Sequence, residues 1–173
     1  LMDTGVNFTG GETFIPGSPI IELIRFASGL GLDVRANTNA WWGGSRTVKV
    51  GTEEFDGPEA LVEALRLAGL KMMALSLDDR YERYRGLFGK MIRVAVACET
   101  NRILYQVVMT DASRELYDEF LRKLTKEIGH LPEYFRSVGM EMVDVGGSRA
   151  WSRDTLNSTQ LALLPELSPC EAK

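Results

Sequence analysis

The stretch Val6-Asn7-Phe8-Thr9-Gly10-Gly11-Glu12 is a short apolar run that ends in two glycines and a carboxylate. The same arrangement, an apolar run followed by polar residues, returns at Ala36-Asn37-Thr38-Asn39 and at Ser76-Leu77-Asp78-Asp79. A helix-like pattern follows each of the three. This order and spacing predict a parallel β/α repeat whose polar groups collect on one rim, which is where β/α barrels keep their chemistry.

The composition is typical of a globular domain. The chain has 173 residues, of which 45% are hydrophobic and 25% charged, with a formal net charge of −4. This length predicts one domain, and the negative charge argues against a general nucleic-acid binder, which needs a basic surface. No apolar run approaches the roughly 20 residues that cross a bilayer, so we expect no membrane partner. The two cysteines, Cys98 and Cys170, are too few for a disulfide framework, which favours a cytoplasmic location.

Strand and helix patterns alternate along most of the chain. We expect strands at residues 5–8, 32–36, 71–77, 103–109 and 140–145. We expect helices that begin near Ser18, Gly57, Arg80 and Ser113, with Ser18 as an N-cap. Residues 40–56 are predicted to form a long polar insertion that carries Trp41 and Trp42.

The connections between these strands are long enough to need helical crossovers, which makes the strands parallel. The patterns therefore predict an α/β protein, a partial parallel (β/α) barrel of about five strands, with its helices outside and truncated at both ends. We place the barrel at residues 1–153 and a C-terminal tail that leads to a further extension at residues 154–173. An incomplete barrel exposes apolar strand edges, which favours self-association of the chain.

The Gly10-Gly11 pair lets the backbone approach a ligand closely, because glycine has no Cβ. The exposed carbonyl groups and the Glu12 carboxylate could then bind an ammonium group. The simpler interpretation is a tight turn with a solvated carboxylate, and the tetrapeptide Thr9-Gly10-Gly11-Glu12 alone favours that interpretation.

Short polar side chains also close the next two strands of the pattern: Thr38, Asn39, Ser76 and Asp78. Each could bind a ligand over the barrel mouth, or could serve as a turn residue or helix cap that bonds its own backbone. Singly, each residue favours the second interpretation. Together they favour a ligand site, because three strand ends carry such groups while the adjoining runs stay apolar.

Taken together, these motifs resemble those of the radical S-adenosylmethionine enzymes, which have Thr-Gly-Gly-Glu after one strand, Thr-Asn after the next and Ser-Leu-Asp after the one following. The resemblance extends from about Val6 to Arg149. It includes the Gly-Leu steps ahead of the strands, Gly31-Leu32 and Gly69-Leu70, and the segment Val145-Gly146-Gly147-Ser148-Arg149 after a later strand.

The resemblance implies a barrel that cleaves S-adenosylmethionine reductively at a [4Fe–4S] cluster and abstracts a substrate hydrogen with the 5′-deoxyadenosyl radical. Several roles are implied by position. Gly10, Gly11 and Glu12 would hold the methionyl amino group. Ser76 and Asp78 would face the methionyl carboxylate or the ribose, Thr38 and Asn39 would lie near cofactor or substrate, and Val143 and Val145 would pack near the adenine. The Asp78-Asp79 and Trp41-Trp42 pairs are similar to branches that modify peptides, so a peptide is one candidate substrate.

The cluster ligands of that family are missing from this sequence. The family holds its cluster with three cysteines, spaced Cys-x3-Cys-x2-Cys, ahead of Gly-Gly-Glu, and we expect them to lie outside this chain. Cys98 falls on an apolar helix face and is predicted to be a core residue. Cys170 is either the first ligand of an auxiliary cluster or an inert thiol. We therefore expect the chain to be a core fragment, inactive for lack of cluster ligands.

Two other functions stay open. Glu12, Asp78 and Asp79 could bind Mg²⁺ or Mn²⁺ in a barrel hydrolase or isomerase, since carboxylate oxygens suit these ions. Alternatively, the chain is a non-catalytic domain that binds a peptide or another partner through Trp41 and Trp42. The only histidine, His130, is predicted to have a helix-end or surface role.

Overall fold

A computed structural model describes residues 5–77, 86–109 and 114–136 of the chain. In chain order the elements are β1 (Gly5–Phe8), α1 (Ile20–Gly29), β2 (Asp33–Thr38), a short 3-10 helix (Trp41–Gly44), β3 (Thr47–Val50), β4 (Glu53–Asp56), α2 (Gly57–Ala68), β5 (Leu70–Leu77), α3 (Leu87–Asn101), β6 (Leu104–Met109), α4 (Arg114–Ile128) and β7 (Phe135–Arg136).

Five of the strands form one parallel sheet in the order β1-β2-β5-β6-β7. This order follows the chain, so each crossover leads to the neighbouring strand. Because crossovers between parallel strands are right-handed, successive crossovers place their helices side by side on one face of the sheet. Accordingly, α1 contacts α2, α2 contacts α3, and α3 contacts α4. The prediction of an α/β protein with a parallel sheet is confirmed.

The two faces of the sheet differ in what covers them. Side chains alternate between the faces along each strand. On the helix side, the hydrophobic core includes Val34 and Ala36 of β2, Met73 and Leu75 of β5, and Tyr105 of β6. We call the opposite side the second face; it carries Arg35, Asn37, Met72, Ala74, Ser76, Leu104 and Gln106. The strand ends at Phe8, Thr38 and Leu77 define what we call the carboxyl edge of the sheet.

The segment predicted to be a polar insertion is more ordered than expected. It contains the 3-10 helix and an antiparallel hairpin, β3–β4, whose Val48 and Val50 are buried in the core. Gly51 is the first central residue of the two-residue turn and has φ +61°, the conformation for which such hairpins use glycine. The prediction missed this hairpin. Residues 47–50 alternate between polar and apolar as a strand does, but β4 begins with two charged residues, Glu53 and Glu54, which are not typical of a strand.

Helix boundaries follow the sequence pattern except at the starts of α1 and α3. Pro19 is the N-cap residue of α1 and no side chain caps this helix, so the prediction that Ser18 caps it was wrong. The prediction that the third helix begins near Arg80 was wrong, because α3 begins at Leu87, after Gly86 in a left-handed conformation with φ +84°.

The prediction for α2 is confirmed, including its end at Gly69, which has φ +106°. The β-branched run Val94-Ala95-Val96 is helical, as predicted, because it lies inside α3.

The fifth strand of the described sheet is β7, at Phe135–Arg136, where the pattern had indicated connecting chain. The strand predicted at residues 140–145, Val143 and Val145 within it, and the predicted tail at residues 154–173 lie outside the described residues.

Among the residues that the model describes, no helix combines the length and the apolar character needed to cross a membrane.

Candidate functional site at the carboxyl edge

Strand register brings the three sequence motifs to the same edge of the sheet. Phe8 of β1 pairs with Ala36 of β2, and Thr38 of β2 pairs with Leu75 of β5. The loop that begins at Thr9, the Thr38-Asn39 pair and Ser76 therefore lie at the ends of adjacent strands. Asp78 and Asp79 lie outside the described residues, so their places at this edge stay a prediction.

The Glu12 carboxylate joins two of these motifs directly. Its Oε1 accepts hydrogen bonds from the Thr38 hydroxyl at 2.8 Å and from the Phe14 backbone N–H at 3.1 Å, and its Oε2 accepts one from the Asn39 N–H at 2.9 Å. The carboxylate is thus half-buried and bonded to its own chain, which the simpler interpretation of a solvated carboxylate did not include. Glu12 fastens the Gly-Gly loop to the end of β2.

Thr38 has no hydrogen-bonding capacity left for a ligand. Its side chain is only 2% exposed, and its Oγ1 accepts hydrogen bonds from the Ala40 N–H and the Trp42 indole N–H, both at 3.0 Å, while it donates to Glu12. A hydroxyl has one proton to donate and two lone pairs. Thr38 is thus a positioning residue that holds Glu12.

Asn39 serves as a turn residue, which is one of the two roles that its sequence position indicated. Its Oδ1 accepts a hydrogen bond from the Trp41 backbone N–H at 3.0 Å, and so satisfies one of the free donors at the start of the 3-10 helix. The side chains of Asn39 and Thr38 thus order the segment that follows β2.

The two glycines lie in open surroundings. A Cβ added at Gly10 or Gly11 would meet no other atom within 4 Å, and both residues are exposed. Gly10 has φ +117°, a conformation that side-chain-bearing residues avoid. Two further bonds fasten this loop: Thr13 donates to the Asn37 carbonyl at 2.7 Å, and the Asn37 side-chain amide donates to the Thr9 hydroxyl at 3.3 Å. The loop is therefore held open over the edge rather than folded against the sheet.

The two tryptophans of the 3-10 helix differ in role. Trp42 is fully buried and makes an edge-to-face contact with Phe14, their ring centroids 5.8 Å apart. Trp41 is 40% exposed. Trp42 therefore anchors the loop in the hydrophobic core, and of the two tryptophans only Trp41 is exposed to solvent.

The described residues contain no group of three His, Cys, Asp or Glu side chains that could hold a metal ion. Cys98 is fully buried, which confirms the prediction of a core residue, and its thiol donates to the Met73 sulfur at 3.9 Å. Burial, and the nearby charge of Glu99, raise the pKa of this thiol. His130 is exposed beyond the end of α4, as predicted.

Sequence reasoning missed a second fastening carboxylate, Glu99 at the end of α3. It accepts hydrogen bonds from the buried Tyr105 hydroxyl at 2.7 Å and from the backbone N–H groups of Glu133 and Tyr134, both at 3.1 Å. Those partners are 6 to 35 residues away in the chain, so no local pattern signals them. Glu99 ties α3 to β6 and to the segment ahead of β7.

Neither a scan against protein-family models nor a search of the curated proteins found a match to this chain.

Proposed function

We propose that this chain is the core of a radical S-adenosylmethionine enzyme, and that its carboxyl edge binds the amino-acid part of S-adenosylmethionine. The observation that carries the proposal is the bonding of Glu12 to Thr38 and Asn39. Two motifs that are separate in the sequence form one unit, and Ser76 lies one residue before the end of the adjacent strand β5. The parallel sheet, wound in chain order, supports closure into a β/α barrel by further strands.

The Gly-Gly loop fits the amino-acid part of this ligand. The space above Gly10 and Gly11 is open to a ligand backbone or side chain. A carboxylate accepts about four hydrogen bonds, and Glu12 receives three from its own chain. One acceptor position is thus left for an ammonium group, and the carboxylate is held in place before the ligand arrives, which lowers the entropy cost of binding.

The [4Fe–4S] cluster does not fit the described residues. Thiolates hold such clusters, and Cys98 is buried in the core, on the helix side of the sheet. We therefore assign no cluster ligand among the described residues and no reaction step through the cluster. In the proposal the chain binds and orients S-adenosylmethionine, which when bound supplies the 5′-deoxyadenosyl group.

The role of each residue follows from its contacts. Glu12 binds the ligand ammonium group. Gly10 and Gly11 offer backbone groups without steric hindrance. Thr38 and Asn39 position Glu12 and the turn that follows β2, rather than contacting the ligand through Oγ1 or Oδ1. The Ser76 backbone belongs to the β5–β6 ladder; its side chain makes no hydrogen bond to another described residue, and its hydroxyl can donate to the ligand carboxylate. Asp78 is assigned to the ribose or the carboxylate by the resemblance alone.

The test is titration calorimetry of the chain with S-adenosylmethionine. Gly11→Val fills the open space that the ligand would occupy. Gly29→Val is a matched control, because Gly29 also has open surroundings and no positive φ but ends α1, remote from the site. We expect binding to the unmodified chain, at least tenfold weaker binding to Gly11→Val, and unchanged binding to Gly29→Val. Absence of binding up to about 1 mM, or equal effects of the two variants, would contradict the proposal.

The structure gives less support to the other two functions. A divalent-metal site would have from Glu12 only the one acceptor position that its three hydrogen bonds leave, and the described residues, which do not include Asp78 and Asp79, contain no group of three His, Cys, Asp or Glu side chains that could hold an ion. A partner-binding surface made of both tryptophans is incompatible with the complete burial of Trp42.

A further inference from the structure

A cleft opens at the amino edge of the sheet, where the strands begin, opposite the carboxyl edge. It is lined by the ends of α2 and α3 and by the starts of β5 and β6, and it has a volume of about 690 Å³. Small-molecule sites have volumes of roughly 300–1,000 Å³. Most of its wall is polar, which disfavours an apolar ligand. We call it the amino-edge cleft.

Three cationic side chains line the amino-edge cleft, and among the described residues no acidic side chain does. Arg66 belongs to the last turn of α2, Lys71 to the start of β5, and Arg102 follows the last residue of α3. All three are exposed, and the described part of the chain gives none of them an ion pair or a side-chain hydrogen bond. The chain as a whole has a net charge of −4. A cleft lined by charges of one sign concentrates counter-ions, so this one attracts anions.

Arg102 occupies a backbone position that favours glycine. Its φ is +57°, and its N–H and that of the next residue bond to carbonyls in the last turn of α3, as in the helix ends that usually carry glycine. Helices α2 and α4 end at Gly69 and Gly129, with φ +106° and +80°. A left-handed conformation costs free energy when the residue has a side chain. An arginine here stabilises the helix end less than glycine would, which indicates that its side chain has another use.

An irregularity in the strand register places Lys71 at the same cleft. Successive residues of β2 pair with Leu70 and with Met72, so the register passes over Lys71. On the other side of β5, the pairing with β6 begins only at Met72. Lys71 is therefore a bulge residue, and bulges redirect the side chain that they carry. Two of the three cations thus stand at irregular backbone positions on either side of one cleft.

We propose that the amino-edge cleft binds a small molecule that carries a diphosphate group, through Arg66, Lys71, Thr100 and Arg102. A guanidinium group can donate two parallel hydrogen bonds to one phosphate, lysine supplies a point charge, and the threonine hydroxyl is a further donor. A diphosphate can engage all three cations, whereas a single phosphate fills little of the volume. The start of β5 lies about 20 Å along the strand from Ser76, so this site is separate from the carboxyl edge and does not rest on the proposed function.

The experiment titrates the whole chain, labelled with ¹⁵N, with inorganic pyrophosphate in magnesium-free buffer. We expect saturable shifts of the backbone N–H signals of Gly69, Lys71 and Arg102, with a Kd of about 0.1 mM. Arg66→Gln removes the charge, keeps a polar side chain and should weaken binding about tenfold. Arg93→Gln is the matched control, since it removes an exposed arginine of α3 that does not line the cleft, and should leave binding unchanged.

Arg102→Gly distinguishes a binding role from a structural role of this arginine. Glycine adopts the left-handed conformation without strain, so we expect the melting temperature to rise by about 2–4 °C. Pyrophosphate binding should weaken about tenfold in the same variant. A lower melting temperature, or unchanged binding, would overturn the proposal, because the arginine would then serve the fold rather than a ligand.

Absence of saturable shifts up to about 5 mM pyrophosphate would also overturn the proposal. So would equal weakening by Arg66→Gln and Arg93→Gln, which would indicate a general effect of charge. A triglutamate peptide that binds as tightly as pyrophosphate would assign the cleft to an acidic protein segment instead. Binding of S-adenosylmethionine is measured separately, at Gly10 and Gly11, so failure of this site and failure of the proposed function are read from different signals.

Discussion

At the scale of single residues, Thr38 is the centre of the network that orders the carboxyl edge. Its one hydroxyl contacts the Glu12 carboxylate, the Ala40 N–H and the Trp42 indole, and it is almost completely buried. Removing one partner from a buried network costs more than the mean value of a hydrogen bond, because the groups left behind stay desolvated and unpaired. The geometry of Glu12 thus depends on a residue that need not touch a ligand.

Thr38→Val keeps the shape of the side chain and removes the hydroxyl. We expect the free energy of unfolding to fall by about 2–4 kcal/mol, since two buried N–H groups lose their acceptor and Glu12 loses a donor. Thr13→Val is the control, because the Thr13 hydroxyl makes one bond, to the Asn37 carbonyl, and should cost about 1 kcal/mol. Urea denaturation of both variants measures the difference. Equal losses would show that Thr38 is not the centre of the network.

At the scale of elements, the 3-10 helix approaches α3 so closely that it needs glycine. A Cβ at Gly43 would lie 2.7 Å from the Val94 Cγ2 and closer still to the Lys90 carbonyl oxygen. A Cβ at the next residue, Gly44, would meet only the Lys90 side chain, at 3.0 Å or more. The Lys90 carbonyl that a side chain at Gly43 would meet is part of the backbone and cannot move without shifting α3. The Lys90 side chain that a side chain at Gly44 would meet can change its conformation.

Gly43→Ala should therefore destabilise the chain by about 2 kcal/mol or more, and Gly44→Ala by less than about 1 kcal/mol. Thermal unfolding of the two variants side by side is the measurement. If the two substitutions lower the melting temperature by the same amount, the 3-10 helix does not pack as closely on α3 as described.

Elements with a clear local pattern could be predicted from the sequence, and those set by distant contacts could not. The bounds of β1 and α2 match the apolar periodicity and the glycine stop of the helix. Leu23 and Leu30 share the helical spacing of the buried Ile20, Ile24 and Ala27, which predicts that they face the core, but they are 42% and 62% exposed. Within the described part of the chain, α1 follows the first strand of the sheet and contacts one other helix, α2, and a sequence pattern does not reveal which helix has a neighbour on one side.

The candidate site, too, could be predicted only where it has a local sequence pattern. Short polar residues at strand ends identify the carboxyl edge, since parallel strands end together. The bonds of Glu12 join residues up to 27 positions apart, and they have no local signature in the sequence.

At the scale of the whole molecule, two buried acids on the α3–β6 side make stability depend on pH. Burial raises the pKa of the Cys98 thiol, and burial together with the hydrogen bond to Glu99 raises the pKa of the Tyr105 hydroxyl. In the unfolded chain these groups ionise near their ordinary values of 9.0 and 10.0. The protonated thiol and hydroxyl therefore make their full contribution to the free energy of unfolding below about pH 9, and this contribution is lost as the pH rises.

We expect the free energy of unfolding to fall above about pH 9, by up to about 1.4 kcal/mol per pH unit for each ionising group. Cys98→Ala should remove the part that begins near pH 9, and Tyr105→Phe the part that begins near pH 10. Urea denaturation of the unmodified chain and of both variants, from pH 7 to about pH 11, measures the contribution of each group. A stability that stays constant over this range would contradict the burial of these two groups.

The central claim is that the Gly-Gly loop and Glu12 bind the amino-acid part of S-adenosylmethionine. The most direct measurement compares the backbone N–H signals of Gly10 and Gly11 in titrations with S-adenosylmethionine and with 5′-methylthioadenosine, which lacks the amino-acid part. We predict saturable shifts of both signals with S-adenosylmethionine and none with 5′-methylthioadenosine. Equal shifts with the two ligands, or no shift with either, would contradict the claim.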